Sequence, residues 1–139
     1  MIELIYPYEA DLPVIPHLTA DTPALSGPAG EYFPIVEPSG IVIGRSTRSW
    51  CHSGAKPLHP VIHIHIIDRF SRIYLQKRSM RKDIQPGKWD TAVGGHVDYG
   101  EEITDALRRE VAEELGITSF KPQFLVKYIF ESEREKELI

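Results

Sequence analysis

The chain has a single cysteine, Cys51, among 139 residues, so no internal disulfide can brace it and the cytoplasm, a reducing compartment, is the expected setting. It also lacks any apolar run near the roughly 18 residues that a membrane span needs, so no membrane helix is expected. Basic residues are missing from the first 44 positions, where Glu3, Glu9, Asp11, Asp21, Glu31 and Glu37 occur without a counter-charge; all 16 Lys and Arg follow from Arg45 onward. Met1 to Pro16 therefore has neither the basic start nor the continuous apolar stretch of a secretory signal. The formal net charge of -4 argues against a nucleic-acid partner, which calls for a basic face.

What is present is an ordinary globular composition, 42% hydrophobic and 26% charged, at a length suited to one domain. Pro7, Pro13, Pro16, Pro23 and Pro28 interrupt any regular element in residues 1–30, which read as an extended acidic arm. A domain is expected over residues 31–139. Its first elements are a hairpin, Phe33 to Val36 and Ile41 to Gly44 around Glu37-Pro38-Ser39-Gly40, and a short helix over Thr47 to His52. Val61 to Asp68 alternates apolar and polar positions, Ile73 to Lys77 follows, and Trp89 to Val93 is another short strand. His63 and His65 share one face of their strand, where a structural role is expected. A loop over Gly94 to Gly100 precedes a helix from about Glu102 to Leu115, stopped by Gly116. Phe120 to Phe130 reads as a late strand.

The helix carries the chemistry. Glu110, Glu113 and Glu114 stand at i, i+3 and i+4, so their carboxylates gather on one face beside an apolar stripe of Leu107, Val111 and Leu115. Crowded like charges raise pKa values unless a cation intervenes, and hard oxygen ligands suit Mg2+ or Mn2+, which can share its shell with substrate phosphates. Arg109, permanently charged, is suited to holding that face by a forked ion pair. Gly94 and Gly95 allow a sharp turn where a side chain would obstruct metal or phosphate. Glu101 is open to two roles, holding the loop or binding metal.

Gly95, Glu101, Arg109, Glu110, Val111, Glu113, Glu114, Gly116 and Ile117 fit the pattern Gx5Ex7REUxEExGU, U being aliphatic, which chance produces about once in 10^10 start points. The chain thereby resembles the Nudix hydrolase superfamily. The resemblance implies an α+β fold, the Nudix α/β/α sandwich around a central mixed β-sheet. It also implies cleavage of a nucleoside-diphosphate-type substrate, a small molecule, with Mg2+ or Mn2+. Glu110, Glu113, Glu114 and Gly95 are then the metal-binding positions; Glu110, Glu113, Glu114 and Arg109 are the catalytic set.

A second likeness is to the type I isopentenyl diphosphate isomerases of the same superfamily, whose W-T-N-S-V-C-G-H-P segment is similar to Trp89-Asp90-Thr91-Ala92-Val93-Gly94-Gly95-His96-Val97. Their metal ligands are two histidines seven residues apart, a third in the G-H pair and an E-x-E pair. The counterparts are His52, His59, His96, Glu135 and Glu137, implying a second divalent-metal site. The isomerase cysteine before G-H is replaced by Gly94, which can neither give nor take a proton, and the intact box is a hydrolase feature. The group implied is thus that of isomerase-like Nudix hydrolases, with the isomerase and a non-catalytic nucleotide sensor as alternatives. Arg78, Arg81, Lys82 and Lys88 are candidate diphosphate contacts. The sequence is short after the E-x-E pair for the family's closing strands and helix, so two alternatives are open: a shortened version of the fold, or an exposed edge covered by a second subunit, as in a homodimer, or by the proline-rich arm.

Overall fold

The computed structural model describes residues 32–82 and 85–139; the expectation of an arm over residues 1–30 lies outside the described residues. Strands β1 (Tyr32–Val36) and β2 (Val42–Thr47) form the expected hairpin. Its turn is closed by Gly40 N–H donating to the Glu37 carbonyl at 2.8 Å, with Gly40 at φ 96°. Thr47 then caps helix α1 (Arg48–Cys51), its hydroxyl accepting from Trp50 N–H, an N-terminal bond that satisfies one otherwise orphaned donor.

The site rests on a four-stranded mixed sheet in the order β7 (Val93–His96), β3 (Leu58–Ile64), β9 (Lys136–Leu138), β8 (Ile129–Glu131). β3 pairs antiparallel with β7 and parallel with β9, which settles the mixed α+β class. A second sheet joins β4 (Ile66–Ile67), β5 (Ile73–Lys77) and β6 (Trp89–Thr91). The alternating run from Val61 to Asp68 is therefore two strands and not one. The chain leaves the first sheet at His65, after Ile64 has paired with Val93, and β4 pairs with β5 instead.

Helix α2 (Ile103–Leu115) lies on this sheet. Ala106 and Leu107 pack with Ile62 and Val97, flanked by Ile64, Ile103 and Phe120. Removing about a Leu side chain's worth of such contact typically costs 2–5 kcal/mol, so Leu107→Ala should lower the melting temperature by roughly 10 °C or more in a domain of this size, measurable by calorimetry. Val111 is buried as expected, but Leu115 is 39% exposed; the stripe runs through Ala106, Leu107 and Val111. Gly116 ends the helix in the left-handed conformation at φ 68°, its N–H donating to the Ala112 carbonyl at 3.0 Å.

Two further expectations are corrected. Val93 to His96 is strand, so the loop begins at Val97, and Gly94 and Gly95 lie on a ladder with β3 and not in a turn. Residues 116–128 carry no helix or strand, and of the late strand region only Ile129 and Phe130 belong to a strand, with Tyr128 exchanging backbone hydrogen bonds with Ile139 just before it. Pro122 has no N–H to offer a ladder, and among the described residues no strand pairs with this segment. α2 is the one long helix among the described residues, so the sandwich's second helical layer is represented there only by the four-residue α1.

Candidate functional site

The register of the sheet explains how distant residues meet. On β3, His59 stands opposite Glu137 of β9, Val61 opposite His96 of β7, and His63 opposite Gly94. Alternate side chains of a strand share a face, so His59, Val61 and His63 point to one side while Ile62 and Ile64 pack toward α2. α2 crosses the end of β7 and brings Arg109, Glu110 and Glu114 to a cleft of about 620 Å3 that His52, His63, His96, Glu135 and Glu137 also line.

Arg109 organises the helix side. Its Nε and Nη2 donate to the two carboxylate oxygens of Glu101 at 2.8 and 2.9 Å, its Nη1 donates to Glu110 Oε1 at 2.7 Å, and Nη2 also reaches the His96 carbonyl at 3.0 Å. One guanidinium thus ties helix, loop and β7 together through the planar fork that lysine lacks. Those bonds hold the Glu101 carboxyl below its ordinary range, and Glu101 also accepts from Asp98 N–H at 3.0 Å. Glu101 is accordingly tied into the loop. Burial pushes the Glu110 carboxyl up despite the opposing pull of Arg109.

Gly95 has a steric reason to be glycine. A Cβ there would fall on the Glu110 carboxylate, so any side chain at this position would displace Glu110 from where it stands. Glu114 lines the cleft and accepts from Gln76 Nε2 at 3.0 Å. Glu113 does not line it; its side chain is 61% exposed and its Oε2 lies 3.7 Å from Arg109 Nη1.

Beside this face is a histidine cluster. One ring nitrogen from each of His52, His59 and His96 falls within 4.8 Å of the others. His52 Nε2 is 3.1 Å from His96 Nε2 and 3.5 Å from Glu135 Oε2. The fully buried His59 fixes its ring by Nδ1 against the Pro57 carbonyl at 2.9 Å, leaving Nε2 buried with no hydrogen-bond partner among the described residues. The Phe33 ring stacks on His96 with centroids 4.4 Å apart. An orphaned buried nitrogen within a group of three imidazoles, with the Glu135 carboxylate 3.5 Å from one of them, is a donor set that fits a divalent ion.

Burial is the main cause of the pKa shifts in the cluster. It lowers His59 and takes His96 down to about 2, helped by the positive charge of Arg48. It raises Glu135, and with the neighbouring Glu135 charge takes Glu137 up to about 7. A carboxyl raised on folding contributes its stability below the unfolded value of 4.5 and loses it as pH rises through about 7. With a chelator present, the stabilising effect of Glu137→Gln should therefore grow between those pH values to at most about 3 kcal/mol. Denaturant melts across that pH window give the difference directly.

The structure also sorts the basic residues. Arg78, Arg81 and Lys82 line the cleft, whereas Lys88 lies outside its lining. Arg78 Nη1 donates to Asp90 Oδ2 at 2.9 Å. Asp90, Phe33, Gln76 and His63 were not legible as site residues; of these only His63 left a signal, standing four residues after His59 on one strand face. Cys51 is fully buried and its thiol is pushed up to about 11 by burial, so it is an inert packing residue.

The NUDIX domain family model matches residues 57–138, more than half of the chain. The chain is 36% identical over 87 residues to an uncharacterized Nudix hydrolase of Nostoc sp., covering 63% of this chain and 52% of that protein. It is 34% identical over 103 residues to an uncharacterized Nudix hydrolase of Yersinia pestis, covering 74% and 56%. Similarity extends to an isopentenyl-diphosphate Delta-isomerase of Mycolicibacterium vanbaalenii, 32% identical over 87 residues and covering 63% and 48%. The chain thus spans about half the length of these curated relatives. Among solved structures, the crystal structure of DR0079 from Deinococcus radiodurans superposes with a TM-score of 0.58 at 25% identity, covering 78% of this chain and 71% of that one. With the box residues assembled on α2 and β7 and the family match extending from residue 57 to residue 138, this chain belongs to the Nudix family.

Proposed function

We propose that the protein is a divalent-metal-dependent hydrolase that cleaves a diphosphate linkage in a nucleoside-diphosphate-type or related organic diphosphate, with water attacking phosphorus. The observation that carries this reading is the carboxylate pair Glu110 and Glu114, the first held by Arg109 and the second by Gln76, sharing one cleft with Arg78, Arg81 and Lys82. Glu110, Glu113, Glu114 and the backbone at Gly95 are the residues assigned to hold the ion. Mg2+ or Mn2+ bound there supplies polarisation of a phosphoryl oxygen and neutralisation of the leaving group.

The chain's own residues divide the remaining work. Arg109 keeps Glu110 oriented. Glu114, whose hydrogen bond is to the neutral amide of Gln76, keeps a carboxylate free to accept the proton of the attacking water. Arg81 and Lys82 grip the outer phosphate oxygens, and Arg78 does so from a position fixed by Asp90. The reading is tested by assaying a nucleotide-diphosphate panel with Mg2+ and Mn2+: release of phosphate or a monophosphate, abolished by chelator, is expected. Tight ligand binding with no product would favour a sensor instead.

His52, His59, His96, Glu135 and Glu137 are assigned to a second divalent ion, Mn2+ or Zn2+. At about 100 times its dissociation constant such an ion adds roughly 2.7 kcal/mol of stability. A melting-temperature rise with Zn2+ or Mn2+ that is lost in His52→Ala is expected; an equal rise in the variant would contradict the assignment. This same cluster is what favours the second reading, isomerisation of isopentenyl diphosphate. Gly94 opposes it, since it offers no group to move a proton at carbon.

A further inference from the structure

We propose that His63 contacts the substrate, its imidazole hydrogen-bonding a diphosphate oxygen from space that Gly94 leaves open. The proposal rests on the hydrolase reading and adds to it a residue outside the family box and outside both metal sets.

His63 and Gly94 are cross-strand partners on β3 and β7. A Cβ at position 94 would lie 3.6 Å from His63 Cδ2 and 3.8 Å from Nε2, so the imidazole stands against the bare glycine backbone. A methyl group fits there at ordinary contact distance, but a longer side chain would compete with the ring for the same volume. Paired residues on neighbouring strands have Cβ atoms about 4.5–5.5 Å apart. A functional group can therefore be supplied to this spot from either strand, and here β3 supplies it.

The ring is half-buried and lines the cleft. At that depth water can satisfy the ring nitrogens, and a ligand entering the cleft can take the water's place. A neutral imidazole offers one N–H donor and one acceptor nitrogen, and the N–H suits an anionic phosphate oxygen. Its surroundings agree: Arg78, held by Asp90 at 2.9 Å, lines the same cleft. His63 and Glu110 reach this one cleft from opposite faces of β7, since Gly94 and Gly95 present alternate sides of the strand.

Two measurements decide the matter. In steady-state kinetics on a diphosphate that wild type hydrolyses, His63→Ala should lower kcat/KM about 10- to 100-fold, the range for a hydrogen bond to a charged group, with the melting temperature preserved and His63→Gln restoring part of the loss. Kinetics equal to wild type in His63→Ala would overturn the proposal while leaving the hydrolase reading intact. Independently of turnover, the His63 ring-nitrogen resonance should move when wild-type protein is titrated with methylenediphosphonate in the presence of Mg2+. A resonance that stays in place overturns the proposal. Absence of hydrolysis by wild type counts against the hydrolase reading, and the resonance still decides His63.

Discussion

Glu114→Gln is expected to lower turnover of a diphosphate substrate by about 10^2- to 10^4-fold with little change in melting temperature. The carboxylate lines the cleft and its hydrogen bond comes from Gln76 Nε2 at 3.0 Å. The amide keeps nearly the same shape but cannot accept a proton from water or neutralise a cation. Glu110→Gln should be damaging for a different reason. It loses the ion pair to Arg109 at 2.7 Å as well as a proposed metal ligand, so both kcat and metal affinity are expected to fall. Glu113, with its side chain 61% exposed, should give the smallest loss of the three. Steady-state kinetics over a Mg2+ titration separates the cases, and full activity in Glu114→Gln would remove that residue from the mechanism.

Gly95→Ala is the second large effect expected, although it removes no functional group. The added Cβ falls 2.0 Å from Glu110 Cδ and 2.5 Å from Cγ, well inside any permitted contact. Either the Glu110 carboxylate swings away from Arg109 or β7 shifts from β3, and each outcome displaces a proposed metal ligand by an ångström or more. Misplacement on that scale costs about 10^2-fold in rate. Gly94→Ala is the control, because its nearest neighbour is Thr91 Oγ1 at 3.5 Å and His63 follows at 3.6 Å, so the fold should accept it. A loss in Gly95→Ala accompanied by weaker Mg2+ binding is the predicted pattern; an unaltered Mg2+ dependence would mean that Glu110 relaxes without consequence.

The box was legible in sequence because its geometry is local. Glu110 and Glu114 follow from a helical period, and Gly116 ends the helix by a conformation that favours glycine. The histidine and E-x-E positions were reached through family likeness, and the sheet register then put His59 beside Glu137. What escaped was tertiary. The glycines were read as turn formers, whereas the requirement at Gly95 comes from a side chain 15 positions away on another element. Glu101 was left between two roles because its partner, Arg109, lies a full two turns of helix onward. The uniform alternation from Val61 to Asp68 concealed the change of sheet at His65, since both strands keep the same period. Residues 116–128 were over-assigned because apolar composition does not supply a neighbouring strand.

The most direct test of water attack at phosphorus is to incubate purified protein in 18O-labelled water with Mg2+ or Mn2+ and a panel of organic diphosphates that includes isopentenyl diphosphate, and to identify the products by mass spectrometry. The account predicts a phosphate or monophosphate product carrying one 18O atom from at least one nucleotide-type substrate, and no allylic diphosphate. An allylic product from isopentenyl diphosphate, or no 18O in any phosphate product, would contradict it.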